Sequence, residues 1–415
     1  MLIMDKEYPR WQSESVKKAL KIRRVVIVSG ARQSGKTTLS NQILSNDCIY
    51  RTLDDPGLLA AALEDPKGFV KNPSQTMVID EIQKAPALLP AIKQVVDNDN
   101  RPGQYLLTGS ANIQTLPSVS ESLAGRVKNI RLRPFTVGEV LGKSPSFLKR
   151  AFAADFPVKI PGYGKESLFD LAFRGGYPEA VRINDGHDRK EWHKDYVSSL
   201  IERDLRDIAN IRRQASLREL VGVLASWSAK FMDVSGISAS LAVSKATVES
   251  YMNALVSLYL FDRVPPWLRT DYDRVGRRPK FYAADTGMMA SILGWNAKEA
   301  YLDPDRSGKL AETFAFHELA AQVELDGQYA LYQYRDREKR EIDFIIEHND
   351  GSMVGVEAKA GQSVSKGDFG HMEWFKDNIA KKPFKGIVLY TGEDTLSFGK
   401  DMLAVPMASL WAEMR

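Results

Sequence analysis

The apolar positions of this chain change period along its length. Near the amino terminus they come as short strand-like runs: Val25-Val26-Ile27-Val28, Ile49 to Leu53 with Arg51 and Thr52 inside it, Met77 to Ile79 and Tyr105 to Thr108. Apolar runs of this length read as strands buried on both faces. Between them the spacing turns helical, with Thr38, Leu39, Ile43 and Leu44 on one face and a second helical stretch from Leu88 to Val96. Strands alternating with helices predict a parallel sheet flanked by helices, with ligands at the carboxyl ends of the strands. From Pro145 to Lys165 the period dissolves among Pro, Gly and Phe, which predicts a boundary or a long loop.

Beyond that break the pattern changes twice. The turn Phe173-Arg174-Gly175-Gly176-Tyr177-Pro178-Glu179 precedes a charged helical run from Trp192 to Ile211. Residues 217–283 then read as short helices ending in a helix-turn-helix. Ser244 caps a helix whose Val248, Met252, Leu255 and Val256 share a face, leaving Lys245, Thr247, Glu249, Ser250 and Asn253 outside. Phe261 to Pro265 and Lys280 to Ala283 read as two strands of a wing, joined by a loop with Arg269, Arg274, Arg277 and Arg278. A helix for the major groove and a basic wing for phosphates suit duplex DNA. Such modules also serve as protein contacts, and Glu249 would repel phosphate. The expected segments are an α/β nucleotide-binding domain (1–140), a helical lid or linker (141–215), a winged helix-turn-helix (216–300) and an α/β carboxy-terminal domain (301–415).

Composition narrows the class. The 415 residues are too many for one core, and 44% apolar with 27% charged is ordinary for a globular chain. A net charge of +4 places any nucleic-acid surface in local patches. No apolar run is long enough to span a bilayer and no secretory leader is visible, so a cytoplasmic protein without a membrane partner is expected. The single Cys48 excludes an internal disulfide and a cysteine-rich zinc site. The five histidines show no metal-binding spacing.

The most specific chemistry follows the first run. Gly30-Ala31-Arg32-Gln33-Ser34-Gly35-Lys36-Thr37-Thr38 has the form G-x-x-x-x-G-K-[ST] between a strand and a helix. In such a loop the glycines turn backbone N–H groups toward phosphates, Lys36 sets a charge on the β and γ phosphates, and the Thr37 hydroxyl ligates Mg²⁺. ATP and Mg²⁺ are therefore the expected cofactors. The run ending at Ile79 leads into Asp80-Glu81, where Asp80 would join Thr37 in the Mg²⁺ shell and Glu81 would polarise the attacking water. The next strand leads into Thr108-Gly109-Ser110-Ala111-Asn112, where Ser110 or Asn112 either orients water or merely caps a turn.

These motifs, followed by Leu-Ala-Gly-Arg at 123–126 and Leu-Arg-Pro-Phe-Thr-Val-Gly-Glu at 132–139, resemble prokaryotic AAA-superfamily ATPases whose carboxy-terminal half is a domain of unknown function. The resemblance runs nearly end to end. It implies an arginine finger at Arg126, acting in its own subunit or on a neighbour in a homo-oligomer. Without it Arg126 reads equally as a surface residue.

The last segment holds charge in apolar strands: Arg340-Glu341-Ile342-Asp343-Phe344-Ile345-Ile346 and Val354-Gly355-Val356-Glu357-Ala358-Lys359. Alternation puts Glu357 and Lys359 on one face, and a hairpin brings Asp343 beside them. Glu312, on the helical stretch Gly308 to Phe316, completes the acids. The order Glu, Asp, Glu-x-Lys resembles the PD-(D/E)xK restriction-endonuclease-like fold. That resemblance implies a second metal site at Asp343 and Glu357, with Lys359 on the scissile phosphate. The same groups can instead neutralise one another in a nuclease-like fold that no longer cuts. Two functions follow as expectations. One is an ATPase that couples hydrolysis to binding or processing of nucleic acid, DNA before RNA; the other is a nucleotide-driven switch or scaffold whose later domains bind proteins.

Overall fold

The computed structural model of the protein describes residues 7–44, 48–71, 74–110, 125–209, 214–268 and 278–412. Residues up to Pro134, with Ser257–Tyr259, form one compact unit, and Phe135–Val256 with Leu260–Arg415 form a second. In the described residues no helix is long and apolar enough to cross a membrane.

The first unit is built on a five-stranded sheet of β1 (Val25–Ser29), β2 (Cys48–Thr52), β3 (Thr76–Asp80), β4 (Tyr105–Gly109) and β5 (Val127–Arg131), in the order β2-β3-β4-β1-β5. Every pairing is parallel. The unbroken apolar runs are explained by period-two alternation into two separate cores. Val25, Ile27, Met77, Ile79, Tyr105 and Leu107 face one layer with the helix Leu88–Asn98. Val26, Val28, Val78 and Leu106 face the other, against Val16 of the helix Gln12–Leu20 and Leu39 of the helix Lys36–Ile43.

The second unit contains two sheets. The smaller one joins β6 (Lys230–Phe231), β7 (Phe261–Val264) and β8 (Lys280–Ala283) in the antiparallel order β6-β8-β7. Between β6 and β7 lie the helices Val234–Ser240 and Lys245–Ser257, the latter started by the Ser244 hydroxyl, which accepts from the Thr247 amide at 3.1 Å. The larger sheet comprises β9 (Tyr329–Arg335), β10 (Glu341–His348), β11 (Met353–Ala358), β12 (Phe384–Tyr390), β13 (Leu396–Ser397) and β14 (Met402–Pro406). Its order is β13-β14-β12-β11-β10-β9, antiparallel from β9 to β11 and parallel from β11 through β12 to β14. The helix Pro304–Val323 is buried along most of its length, as expected of a helix packed on several sides.

The boundaries differ from the sequence expectation. The first unit ends at Pro134, and the three later segments pack as one body. The stretch expected as a loop after Pro145 contains the helix Phe147–Ala153. Its buried Arg150 donates to the carbonyls of Ser409 and Ala412, both at 2.6 Å, and the Phe147 amide donates to the Gln322 side chain at 3.1 Å. These distant partners, invisible to local periodicity, draw 141–215 into the carboxy-terminal core. The Gly175-Gly176 turn also acquires a role. A Cβ on Gly176 would lie 2.0 Å from the Phe135 carbonyl oxygen, and the Gly176 amide donates to the buried Asp285 carboxylate at 2.6 Å.

Candidate functional site

At the carboxyl end of β1 the chain turns through Gly30 to Gly35 and enters the helix that starts at Lys36. Gly30 has no room for a side chain, since a Cβ there would lie 2.1 Å from the Leu132 carbonyl oxygen. Gly35 has φ 93°, in the left-handed region open to glycine, so that the turn runs straight into the helix. Arg10 braces the loop from outside, donating to the Ser34 carbonyl at 2.9 Å and to the Arg133 carbonyl. Lys36 is buried, and its ammonium donates to the carbonyls of Gly30 at 3.1 Å and Ala31 at 2.9 Å. Burial pushes this ammonium's pKa down, against the opposing pull of the Glu81 and Asp80 carboxylates.

β3 and β4 deliver the acids and their donors. The Thr37 hydroxyl lies 3.1 Å from Asp80 Oδ2. Asp80 also accepts from the Tyr50 hydroxyl at 2.8 Å and from the Thr108 hydroxyl. Burial, followed by the bond to Asp80, raises the Tyr50 phenol. Next to it Glu81 has φ 59°, a left-handed conformation that costs a non-glycine residue energy and is common at functional turns. Its amide donates to the Thr108 hydroxyl at 3.2 Å, and its carboxylate accepts from the Ser110 hydroxyl at 3.0 Å and from Gln83. Gln83 also donates to the Ser110 hydroxyl at 3.0 Å.

The residues present suit Mg²⁺. A hydroxyl and a carboxylate oxygen converge at one point beside the loop, and both are hard oxygen donors. Ser34 Oγ is buried without a partner among the described residues, in a loop whose backbone leaves no room for a Cβ at Gly30.

Of the residues named from sequence, Gly30 to Thr38, Asp80, Glu81 and Ser110 meet at this end of the sheet. Asn112 lies outside the described residues. Arg126 immediately precedes β5, and its carbonyl accepts from the Val25 amide at the amino edge of the sheet. Its guanidinium pairs with Asp97. Five residues of strand, about 16 Å, separate that edge from the loop, too far for an arginine to reach the phosphates of its own subunit. Local sequence gave no measure of which sheet edge Arg126 would occupy. Tyr50 and Gln83 were not singled out from sequence, although both flank the acids in ordinary strand and turn positions.

The second cluster lies within the second unit. Asp343 on β10 stands opposite Glu357 on β11, following the register Phe344 to Val356. Glu312 reaches them from the helix Pro304–Val323, and its carboxylate accepts from the Tyr282 hydroxyl at 2.7 Å. Two residues not foreseen for this place join them: Lys280 on β8 and Glu341 on β10. The Lys280 ammonium, 2% exposed, lies 2.7 Å from Glu312, 2.7 Å from Glu341 and 3.0 Å from Asp343. The one sequence signal was a lysine opening the apolar run Phe281-Tyr282-Ala283. Lys359 lies just past β11, half exposed, with its ammonium 3.6 Å from Asp368.

Besides Lys280, the Arg335 guanidinium lies 3.9 Å from Glu341 and the Lys359 charge acts on Glu357, so burial and charge pull against each other across the cluster. Burial, then the Asp343 charge, raises Glu357 well above the usual carboxylate range. Burial also pushes Glu312 up to about 8, reinforced by Asp343 and opposed by Lys280. Burial would raise Asp343 too, but Lys280, the Ala358 amide at 3.1 Å and the proton on Glu357 outweigh it and hold Asp343 low. Burial likewise works against charge on Lys280, and Asp343 with its neighbours overrides it, raising Lys280 well above its ordinary value. A further trio, Asp185, His187 and Asp188, is exposed at a helix start, where Asp185 accepts from the amides of His187 and Asp188 as a cap.

Comparison with known families agrees with the first unit's chemistry. Residues 22–141 match the family described as AAA domain. Residues 165–299 match a domain of unknown function (DUF8612), and residues 307–410 match another (DUF4143). The chain is similar to Uncharacterized protein Rv2008c of Mycobacterium tuberculosis, 28% identical over 393 residues, covering 94% of this chain and 82% of that one. It is also similar to Uncharacterized protein MJ1544 of Methanocaldococcus jannaschii, 22% identical, covering 80% and 74%. Among solved structures it is similar to the RuvB Holliday junction branch migration motor of Thermotoga maritima, 20% identical, covering 61% of this chain and 86% of that one, with a TM-score of 0.27. A STAND protein of Pyrococcus horikoshii with a tetratricopeptide repeat sensor is 12% identical, covering 79% and 52%, with a TM-score of 0.21. The match to the AAA domain family thus spans most of the first unit, including the phosphate-loop motif at residues 30–38.

Proposed function

We propose that this chain hydrolyses ATP at the loop of residues 30–38 and couples turnover to engagement of nucleic acid, DNA before RNA, by its second unit. The observation that carries the hydrolytic half is the meeting of Thr37 and Asp80 at 3.1 Å beside Glu81 and Ser110. Thr37 and Asp80 would hold Mg²⁺, which when bound would supply charge neutralisation on the phosphates. Lys36 binds the β and γ phosphates once it exchanges the carbonyls of Gly30 and Ala31 for them. Glu81, oriented by Ser110 and Gln83, takes the proton of the attacking water. Arg126 acts, if on any phosphate, on that of a neighbouring subunit.

The nucleic-acid half rests on the order helix, strand, two helices and two strands around residues 214–283, which suits a winged helix. In this reading the helix Lys245–Ser257 presents exposed Lys245, Glu249, Ser250 and Asn253 to the duplex, and Arg278 flanks the wing. Glu249 acts electrostatically on Arg263, which softens its repulsion of phosphate. The test is ATP turnover measured alone and with duplex DNA, single strands or RNA. Stimulation by duplex DNA that fades as salt rises supports the reading. Turnover indifferent to all three, with no DNA retained at low salt, removes the nucleic-acid half and favours a protein-binding switch.

A further inference from the structure

The carboxylates of the second unit have the residue types of a nuclease metal site, yet a cation already sits among them. We propose that the Lys280 ammonium is a built-in counter-cation that takes the place of a divalent ion and holds this nuclease-like centre shut. The inference does not depend on the ATPase reading.

Three observations carry it. The ammonium is buried and lies within 3.0 Å of three carboxylates, from the helix Pro304–Val323 and from β10. A divalent ion would need the same oxygens at about 2.1 Å, and it cannot share them with an ammonium already in contact with them. Lys280 also arrives from outside the fold that holds the acids. It lies on β8, paired with Phe231 of β6, and the Phe231 ring stands 5.8 Å from its ammonium. The lysine that the sequence motif assigns to catalysis, Lys359, has its ammonium 3.6 Å from Asp368 and acts on Glu357 through its charge. A motif lysine turned to another acid and a foreign lysine seated among the motif acids together make a charge tie between the small sheet and the large one. Divalent cations and Lys280 therefore compete for Asp343, Glu312 and Glu341, and the seated form cuts no phosphodiester.

The test uses the full chain and Mn²⁺ as the probe, with bound Mn²⁺ counted by electron paramagnetic resonance in the absence of nucleotide. Asp343→Asn should leave the wild-type count unchanged. Lys280→Met should add one Mn²⁺, lost again in Lys280→Met/Asp343→Asn, and Mn²⁺ should restore the melting temperature that the single change lowers. A cooperative melting transition and a wild-type far-ultraviolet circular dichroism spectrum report that the variant is folded. Should Lys280→Met not fold, Lys280→Met/Glu312→Gln removes a carboxylate along with the cation and should still gain the Mn²⁺. A wild-type Mn²⁺ site or Mg²⁺-dependent DNA nicking that Asp343→Asn abolishes overturns the proposal. So does a folded Lys280 variant that gains no Mn²⁺.

Discussion

Asp80 and Asp343 are both buried carboxylates at strand ends or edges, and the two regions satisfy them by different means. Around Asp80 the partners are neutral hydroxyls, those of Thr37, Tyr50 and Thr108. Around Asp343 the principal partner is the Lys280 ammonium. Hydroxyls stabilise a carboxylate without cancelling its charge, and the Lys36 ammonium donates to backbone carbonyls and acts on Asp80 only through space. At Asp343 an ammonium meets the charge directly. The same residue type thus meets neutral donors in one region and a cation in the other, and the difference lies in the donors rather than the acids.

The contrast is sharpened first by breaking the hydrolytic centre. Glu81→Gln should lower ATP turnover by about 10²- to 10⁴-fold, the range of a lost general base, with ATP binding retained in equilibrium titrations. Lys36→Ala should instead lose the binding itself. Unchanged turnover in Glu81→Gln would place the water-activating group elsewhere.

Next comes the tie in the second unit. Removing one partner of a buried ion pair costs about 3–5 kcal/mol, so Lys280→Ala should unfold at clearly lower urea concentration in the presence of a chelator. A variant as stable as wild type would mean that the carboxylates need no cation. The equivalent change at Tyr50 removes only a neutral hydroxyl bond and should cost far less, about 0.5–1.5 kcal/mol for Tyr50→Phe.

The last effect is on pH dependence. Glu312 and Glu318 are both pushed up to about 8, chiefly by burial. An acid whose folded pKa lies above its unfolded value binds more protons when folded, so its stabilising share is complete below the unfolded pKa near 4.5 and is lost as pH rises toward 8. Stability should therefore decline from pH 5 to pH 8, and Glu312→Gln should flatten part of that slope. Urea midpoints across this range measure it; a slope that Glu312→Gln leaves unaltered would show Glu312 ionised throughout.

The front half of the molecule was legible because its chemistry is local. The loop from Gly30 to Thr38 is contiguous, and Asp80-Glu81 and Ser110 each follow a strand whose burial the apolar run announced. Parallel strands carry their carboxyl ends to one edge, so contiguous motifs meet there. Arg126 escaped this logic because it precedes its strand instead of following it.

The sequence by itself determined the phosphate loop, the acids beside it and the pairing of Asp343 with Glu357, since each depends on spacing along one strand or one hairpin. Only the tertiary structure decided that Lys280 would enter the acid cluster and that Arg150 would join residues 141–215 to the carboxy-terminal core. The physical reason is that a long basic side chain finds its counter-charge across space. Which carboxylate or carbonyl it meets is set by how whole elements pack, and no period along the chain encodes that.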